Sequence, residues 1–235
     1  MQQKISIIDR LRAAHGRTAK RRAPCTAIHT TGVPMPGITH VADTFQAFLN
    51  DLQDRRTPAL KQLSRLRNGF EGWFKIELYL WLAERYGLLP QTDVGVEYKV
   101  WLDQRRGQMD RETKQCDLWA RDAETNGYHY IELKVPFANN NRGKMLLSAS
   151  DDFWYMSRLL AADQSAATGS VIQIGVGFDE QTWKQAIDEA VTYAGNDPAC
   201  VQLKVGAVLL EDALPLQWAV MTKLYLPRRN TERDR

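Results

Sequence analysis

Two carboxylates and one amine set the chemistry that can be asked of this sequence. In QCDLWARDAETNGYHYIELKV, Asp117 precedes the turn Thr125-Asn126-Gly127, and Glu132 and Lys134 follow it. Side chains alternate along a strand, so Glu132 and Lys134 share a face, and a hairpin brings the strand bearing Asp117 alongside them. Oxygen donors from Asp117 and Glu132 suit a hard cation such as Mg2+, with Mn2+ as a substitute, and the adjacent ammonium suits orienting or activating a water nucleophile. Phosphodiester hydrolysis uses such a set, because a divalent cation offsets charge on the attacking and leaving oxygens. The tripeptide Glu-x-Lys discriminates little by itself, since it occurs at Glu97/Lys99, Glu112/Lys114 and Glu132/Lys134. Glu112 falls in a polar loop and Glu97 has no acidic strand before it, whereas Glu132 follows a strand carrying Asp117. The ordinary alternative for Glu132 and Lys134 is a same-face surface salt bridge, worth under about 1 kcal/mol.

The elements that must position these residues can be read from periodicity. Helical spacing predicts helices over about 39–54 and 57–67, with Thr57-Pro58 as cap and first turn of the second. A third helix over about 70–86 is closed by Gly87 and followed by Pro90, and its apolar content predicts burial on most sides. Beyond Pro90 the period falls to two, predicting strands at 95–102, 115–121 and 128–135 in an antiparallel meander, joined by the charged loop 103–114 and the Asn126-Gly127 turn. A helix at 148–162, a strand at 170–178, a helix at 180–194 and strands at 201–210 and 216–226 follow. This alternation predicts an α/β (α+β) fold with a mixed sheet and at least one parallel crossover. The segment TTGVPMPG, at 30–37, separates a basic arm over 1–36 from a single domain over 37–227, with a basic tail at 228–235.

A helix, an Asp on the second strand and Glu-x-Lys on the third resemble the PD-(D/E)XK nuclease superfamily, the fold of many restriction endonucleases and archaeal-type Holliday-junction resolvases. Asp117 stands for the motif Asp, Glu132 and Lys134 for the (D/E)xK pair, and Cys116 replaces the frequent but dispensable Pro. The resemblance spans roughly residues 70–178 and implies a restriction-endonuclease-like αβββαβ core. It implies a Mg2+-dependent nuclease, in first place a DNA endonuclease. Asp117, Glu132 and an acidic residue of the preceding helix would hold the metal, the Leu133 carbonyl would add a ligand, and Lys134 would position or deprotonate water. Glu77 is the first choice for the helix carboxylate: it lies ten residues before Gly87 and inside an apolar run where an unpaired charge is costly. Glu71, about 120° away around the helix, is the alternative. Cleavage of both strands of a duplex would suit a two-fold dimer.

Composition narrows the setting. The 235 residues are 44% hydrophobic and 25% charged, with a net charge of +3, which excludes disorder throughout. Residues 1–22 carry seven basic side chains against Asp9, and residues 223–235 five against two acidic ones, so the chain between them is net acidic. Basic phosphate contacts are expected from Lys61, Arg65 and Arg67, from Arg105 and Arg106, and from Arg142 and Lys144 in the NNNRGK loop. No apolar run reaches the length of a membrane span, and MQQKISIIDRLRAAHGR lacks the features of a secretory signal, so a cytoplasmic protein without membrane contact is expected. The three cysteines are far apart and support neither disulfides nor a zinc site. His129 alternates onto the face opposite Glu132 and reads as a packed strand residue, and the tryptophans read as core. A non-catalytic nucleic-acid-binding module on the same fold, or an interaction subunit of a larger complex, are the readings left open.

Overall fold

The computed structural model describes residues 36–66, 69–106, 110–125, 127–139, 142–193 and 201–225. The basic arm, apart from Pro36, and the basic tail lie outside them. The two helices expected before residue 67 form one rod, α1 (Val41–Leu63), bent at Arg56 (φ −134°, ψ 22°). Pro58 sits in the first turn of the second limb, where its missing N–H removes little hydrogen bonding. Helix α2 (Glu71–Tyr86) ends on Gly87, whose φ of 63° lets its N–H reach the Ala83 carbonyl. Phe74, Leu78, Trp81 and Leu82 form its buried stripe, while Ile76 and Leu80 are 47% and 55% exposed. The expectation of burial on most sides is therefore corrected: α2 lies on the sheet by one face, and its other apolar residues remain at the surface.

Strands β1 (Val94–Trp101), β2 (Thr113–Arg121) and β3 (Tyr128–Lys134) form the antiparallel meander predicted from alternation. Helix α3 (Arg142–Met156) begins and ends six residues before the expected 148–162. Arg142 and Lys144 therefore belong to its first turn rather than to a loop. Buried Ala149, Phe153 and Met156 recur at helical spacing and set its inner face. Its end rests on β4 (Ala166–Val176) at Gly169, where any Cβ would lie 2.1 Å from the Met156 carbonyl oxygen. Helix α4 (Glu180–Tyr193) and strands β5 (Val201–Val208) and β6 (Leu216–Leu224) complete the described chain.

The six strands form one mixed sheet in the order β1-β2-β3-β4-β6-β5. Its parallel pair is β3 with β4, connected through α3, and its other neighbours are antiparallel. On one face, α1 and α2 bury Phe48, Phe74 and Leu82 against Leu118, Ile131, Leu133 and Ile172. On the other, α3 buries Phe153 and Met156 against Val100, Cys116, Tyr130 and Val171, and α4 buries Trp183 and Ile187 beside Ala219. Among the described residues no helix is long and apolar enough to cross a membrane.

Strict alternation breaks at one level of the sheet. Val94 and Leu118 pack in the core under α1 and α2, whereas Val100 and Cys116, an even number of residues away on the same strands, pack under α3. The change of face falls between the pairs Val96↔Leu118 and Tyr98↔Cys116. There Glu97 takes a left-handed φ of 57°, uncommon for a residue with a side chain. Asp117 lies at the same level of β2.

Because Phe48 is fully buried in the larger core, Phe48→Ala should lower unfolding free energy by about 3–5 kcal/mol in denaturant titration. Ile76→Ala on the open face of α2 should cost within about 0.5 kcal/mol; a loss as large as at Phe48 would contradict this placement of the helix.

Candidate functional site

The carboxylates converge where β2 and β3 part. Their ladder runs from Arg121↔Tyr128 to Leu118↔Ile131. One residue further along β2, the Asp117 side chain takes the place of a strand partner: its Oδ2 accepts the Leu133 backbone N–H at 2.9 Å. The other oxygen, Oδ1, accepts from Lys75 Nζ at 3.2 Å. Lys75 also bonds Glu97, the left-handed residue opposite. The break in alternation and the acidic site are thus parts of one local arrangement.

Side chains reach this gap from both faces of the sheet. Glu71 and Lys75, four residues apart on one side of α2, come from one face, with Glu71 3.7 Å from Lys134. From the α3 face, Glu132 Oε1 accepts from Lys134 at 2.8 Å and faces Lys114 at 3.2 Å. Asp152, in the third turn of α3, bonds Lys114 at 2.6 Å and lies 3.3 Å from Lys134. Four carboxylates, Glu71, Asp117, Glu132 and Asp152, therefore interleave with three lysines, Lys75, Lys114 and Lys134. Glu132 Oε2 is buried and has no hydrogen-bond partner among the described residues. Among the described residues no three acidic, His or Cys side chains form a ready-made ion cage; lysines stand between the acids.

No family model, curated protein or solved structure matches the chain. The chemistry of the cluster therefore has to be read from its own electrostatics.

Burial pushes the Glu132 carboxyl up to about 7, with Asp152 and Asp117 adding to the rise and Lys114 and Lys134 opposing it. Glu71 is also raised, chiefly by burial, against the pull of Lys134 and the Val135 amide. Burial alone would lower Lys134, but Glu132, Asp152 and Glu71 outweigh it and hold the proton more tightly than on a free lysine. Lys134 is consequently an ammonium at neutral pH, a donor to oxygen atoms rather than a proton acceptor.

The structure brings Asp117, Glu132 and Lys134 together and separates Glu77 from them. Glu77 lies 3.7 Å from Arg56, at the bend of α1. The helix carboxylate beside Lys134 is Glu71. Of the expected phosphate-binding residues, Lys61 lies 3.7 Å from Glu211, and Arg65 donates to the Asp212 carbonyl at 3.4 Å. Arg105 is engaged by both oxygens of Asp103, at 2.7 and 2.8 Å. Lys144 is exposed on the first turn of α3. Arg67 and the side chains of Arg106 and Arg142 lie outside the described residues. The loop after β5 that receives Lys61 and Arg65 is at the same end of the sheet as Lys134, because Val176 pairs with Leu216, beyond the level of Gln173 and Lys134. His129 is buried away from the cluster, bonded to Thr168 at 2.9 Å and the Ile38 carbonyl at 3.0 Å.

Sequence reasoning did not single out Lys75, Lys114 or Asp152 for this site. Lys75 carries a signal, lying four residues after Glu71 on a helix. Asp152 carries another, falling among Ala149, Phe153 and Met156 on the buried stripe of α3. Lys114 closes the expected loop 103–114, whose last two residues the structure places in β2.

The raised carboxyl of Glu132 makes a pH prediction. A carboxyl whose folded value lies above its ordinary 4.5 contributes stability that is fully present below 4.5 and lost as pH rises through about 7. In divalent-free buffer, wild-type stability should therefore fall relative to Glu132→Gln across that window, by up to about 3 kcal/mol. A difference independent of pH would show that the carboxyl is not desolvated as described.

Proposed function

We propose that the chain is a Mg2+-dependent nuclease built on a PD-(D/E)XK-type framework and hydrolysing phosphodiester bonds in DNA. The observation that carries this reading is the anchoring of Asp117 to the Leu133 amide, which sets it beside Glu132 and Lys134 where β2 and β3 separate. The element order α2-β1-β2-β3-α3-β4, with β3 and β4 parallel, supports the reading as well.

The donor set suits a hard cation in kind: carboxylate oxygens of Asp117 and Glu132, including the buried Glu132 Oε2 that has no hydrogen-bond partner among the described residues, and the Leu133 carbonyl. A bound Mg2+ would supply charge neutralisation at the scissile phosphate and a more acidic water. Asp117 and Glu132 would hold it, with Glu71 rather than Glu77 as the helix carboxylate on grounds of proximity. Lys134, held as an ammonium, would donate hydrogen bonds to the attacking water and to phosphate oxygens, fixing the line of attack. Lys61, Arg65 and Lys144 surround the same end of the sheet and would hold flanking phosphates without reading sequence.

One observation favours a second reading, a nucleic-acid-binding module that does not cut. Lys75, Lys114 and Lys134 between them pair with every carboxylate of the cluster, leaving a cation to compete with three ammonium groups.

Nicking of supercoiled plasmid, with an RNA hairpin alongside, separates the two. Cleavage in Mg2+ or Mn2+ and none in EDTA is expected, with losses of about 100-fold or more in Asp117→Asn, Glu132→Gln and Lys134→Met. Glu71→Gln should lose about tenfold, and Glu77→Gln should stay within about twofold of wild type. Full activity in Glu132→Gln would overturn the nuclease reading, and salt-sensitive binding without cleavage would favour the module.

A further inference from the structure

Among the described residues, Gln173 is a buried neighbour of this cluster with hydrogen-bonding groups that remain unused. It is completely buried, and neither its amide oxygen nor its amide nitrogen has a hydrogen-bond partner among the described residues. Buried polar atoms are nearly always satisfied, so an amide orphaned at both ends calls for an explanation. Its position supplies one. Gln173 pairs in register with Lys134 across the parallel β3–β4 ladder, and Glu132 pairs with Val171, two residues earlier. Val171 packs in the core under α3, while Ile172 and Ile174 pack under α1 and α2. Alternation therefore turns Gln173 toward the α3 side, the side from which Lys114 and Asp152 reach Glu132.

Two buried groups with unmet hydrogen bonding, Gln173 and Glu132 Oε2, thus share one face of neighbouring strands on a diagonal that long side chains can span. Their needs match. A primary amide is the neutral side chain that offers a donor at one end and an acceptor at the other. The donor suits the free Glu132 oxygen, and the acceptor suits the ammonium of Lys134, either directly or through one enclosed water. We propose that Gln173 is a positioning residue for the Glu132–Lys134 pair, its amide nitrogen serving Glu132 Oε2 and its amide oxygen serving Lys134. It does this without adding a charge to a cluster already dense with them. The role in cleavage rests on the nuclease reading above; the hydrogen bonding proposed between Gln173 and the pair does not.

Two measurements on full-length protein test it. The first needs no activity: the side-chain amide resonance of Gln173, assigned by its loss in Gln173→Met, should shift in 1H–15N spectra when Glu132→Gln or Lys134→Met is introduced. The second compares steady-state cleavage of a DNA duplex by wild type and Gln173→Met, a substitution of similar size that keeps the core filled. The expected result is a protein that still folds and unfolds cooperatively, a fall in kcat of about tenfold or more, and a KM within about twofold. A Gln173 resonance indifferent to both substitutions would overturn the proposal. So would unchanged kcat in a stably folded Gln173→Met protein. If wild type does not cleave, the nuclease reading fails on its own, and the amide resonance still decides whether Gln173 holds the pair.

Discussion

A backbone amide that bonds to a side chain instead of a neighbouring strand organises this molecule. The Leu133 N–H goes to Asp117, and that substitution lets β2 and β3 separate without leaving a buried donor unsatisfied. The left-handed Glu97 on β1 belongs to the same event, because β1 and β2 change face together at this level. Strand irregularities of this kind cost energy and persist where their surroundings over-determine them. Here Lys75 supplies that constraint, tying Glu97 to Asp117 from α2.

The gap so formed gathers charge, and its inner members Glu132, Lys114 and Asp152 are buried where unpaired charge is costly, while Glu71, Lys75 and Lys134 reach toward solvent. With Glu97, five carboxylates share three lysines, and the contacts alternate: Glu71, Lys134 and Glu132 on one path, Lys134, Asp152 and Lys114 on another. Removing Glu132, Lys114 or Asp152 leaves a buried partner uncompensated, so this part of the network is retained for geometry more than for stability. The same network holds Asp117, Glu132 and Lys134 in place before any substrate arrives, which is the preorganisation that hydrolysis of a phosphodiester would use. Its two helices approach from opposite faces, which explains why the three-layer arrangement is needed to assemble a site on a single pair of strands.

Much of this was legible in the sequence because it depends on local pattern. The alternation of β2 and β3, the turn between them and the same-face spacing of Glu132 and Lys134 are short-range properties. The mixed sheet followed from the order of strands and helices. What escaped depends on contacts across the fold. Glu71 and Glu77 are equally helical, and which of them meets the site depends on long-range neighbours, Lys134 beside Glu71 and Arg56 of α1 beside Glu77. Lys114 and Asp152 look like surface charges until each is seen as the other's buried partner. The start of α3 was obscured by a polar first turn whose helical state depends on the packing of Ala149, Phe153 and Met156 behind it. A left-handed Glu97 leaves no mark in residue type, so the change of face in β1 and β2 could not be read from alternation alone.

The cation is the central claim, and binding tests it more directly than turnover does. Mn2+ titrated into metal-free protein and followed by electron paramagnetic resonance reports bound ions without any substrate. The expected result is saturable binding of one or two ions per chain, abolished in an Asp117→Asn, Glu132→Gln double variant that keeps the wild-type fold. Undiminished binding in that variant, or none in the wild type, would contradict the assignment of this site.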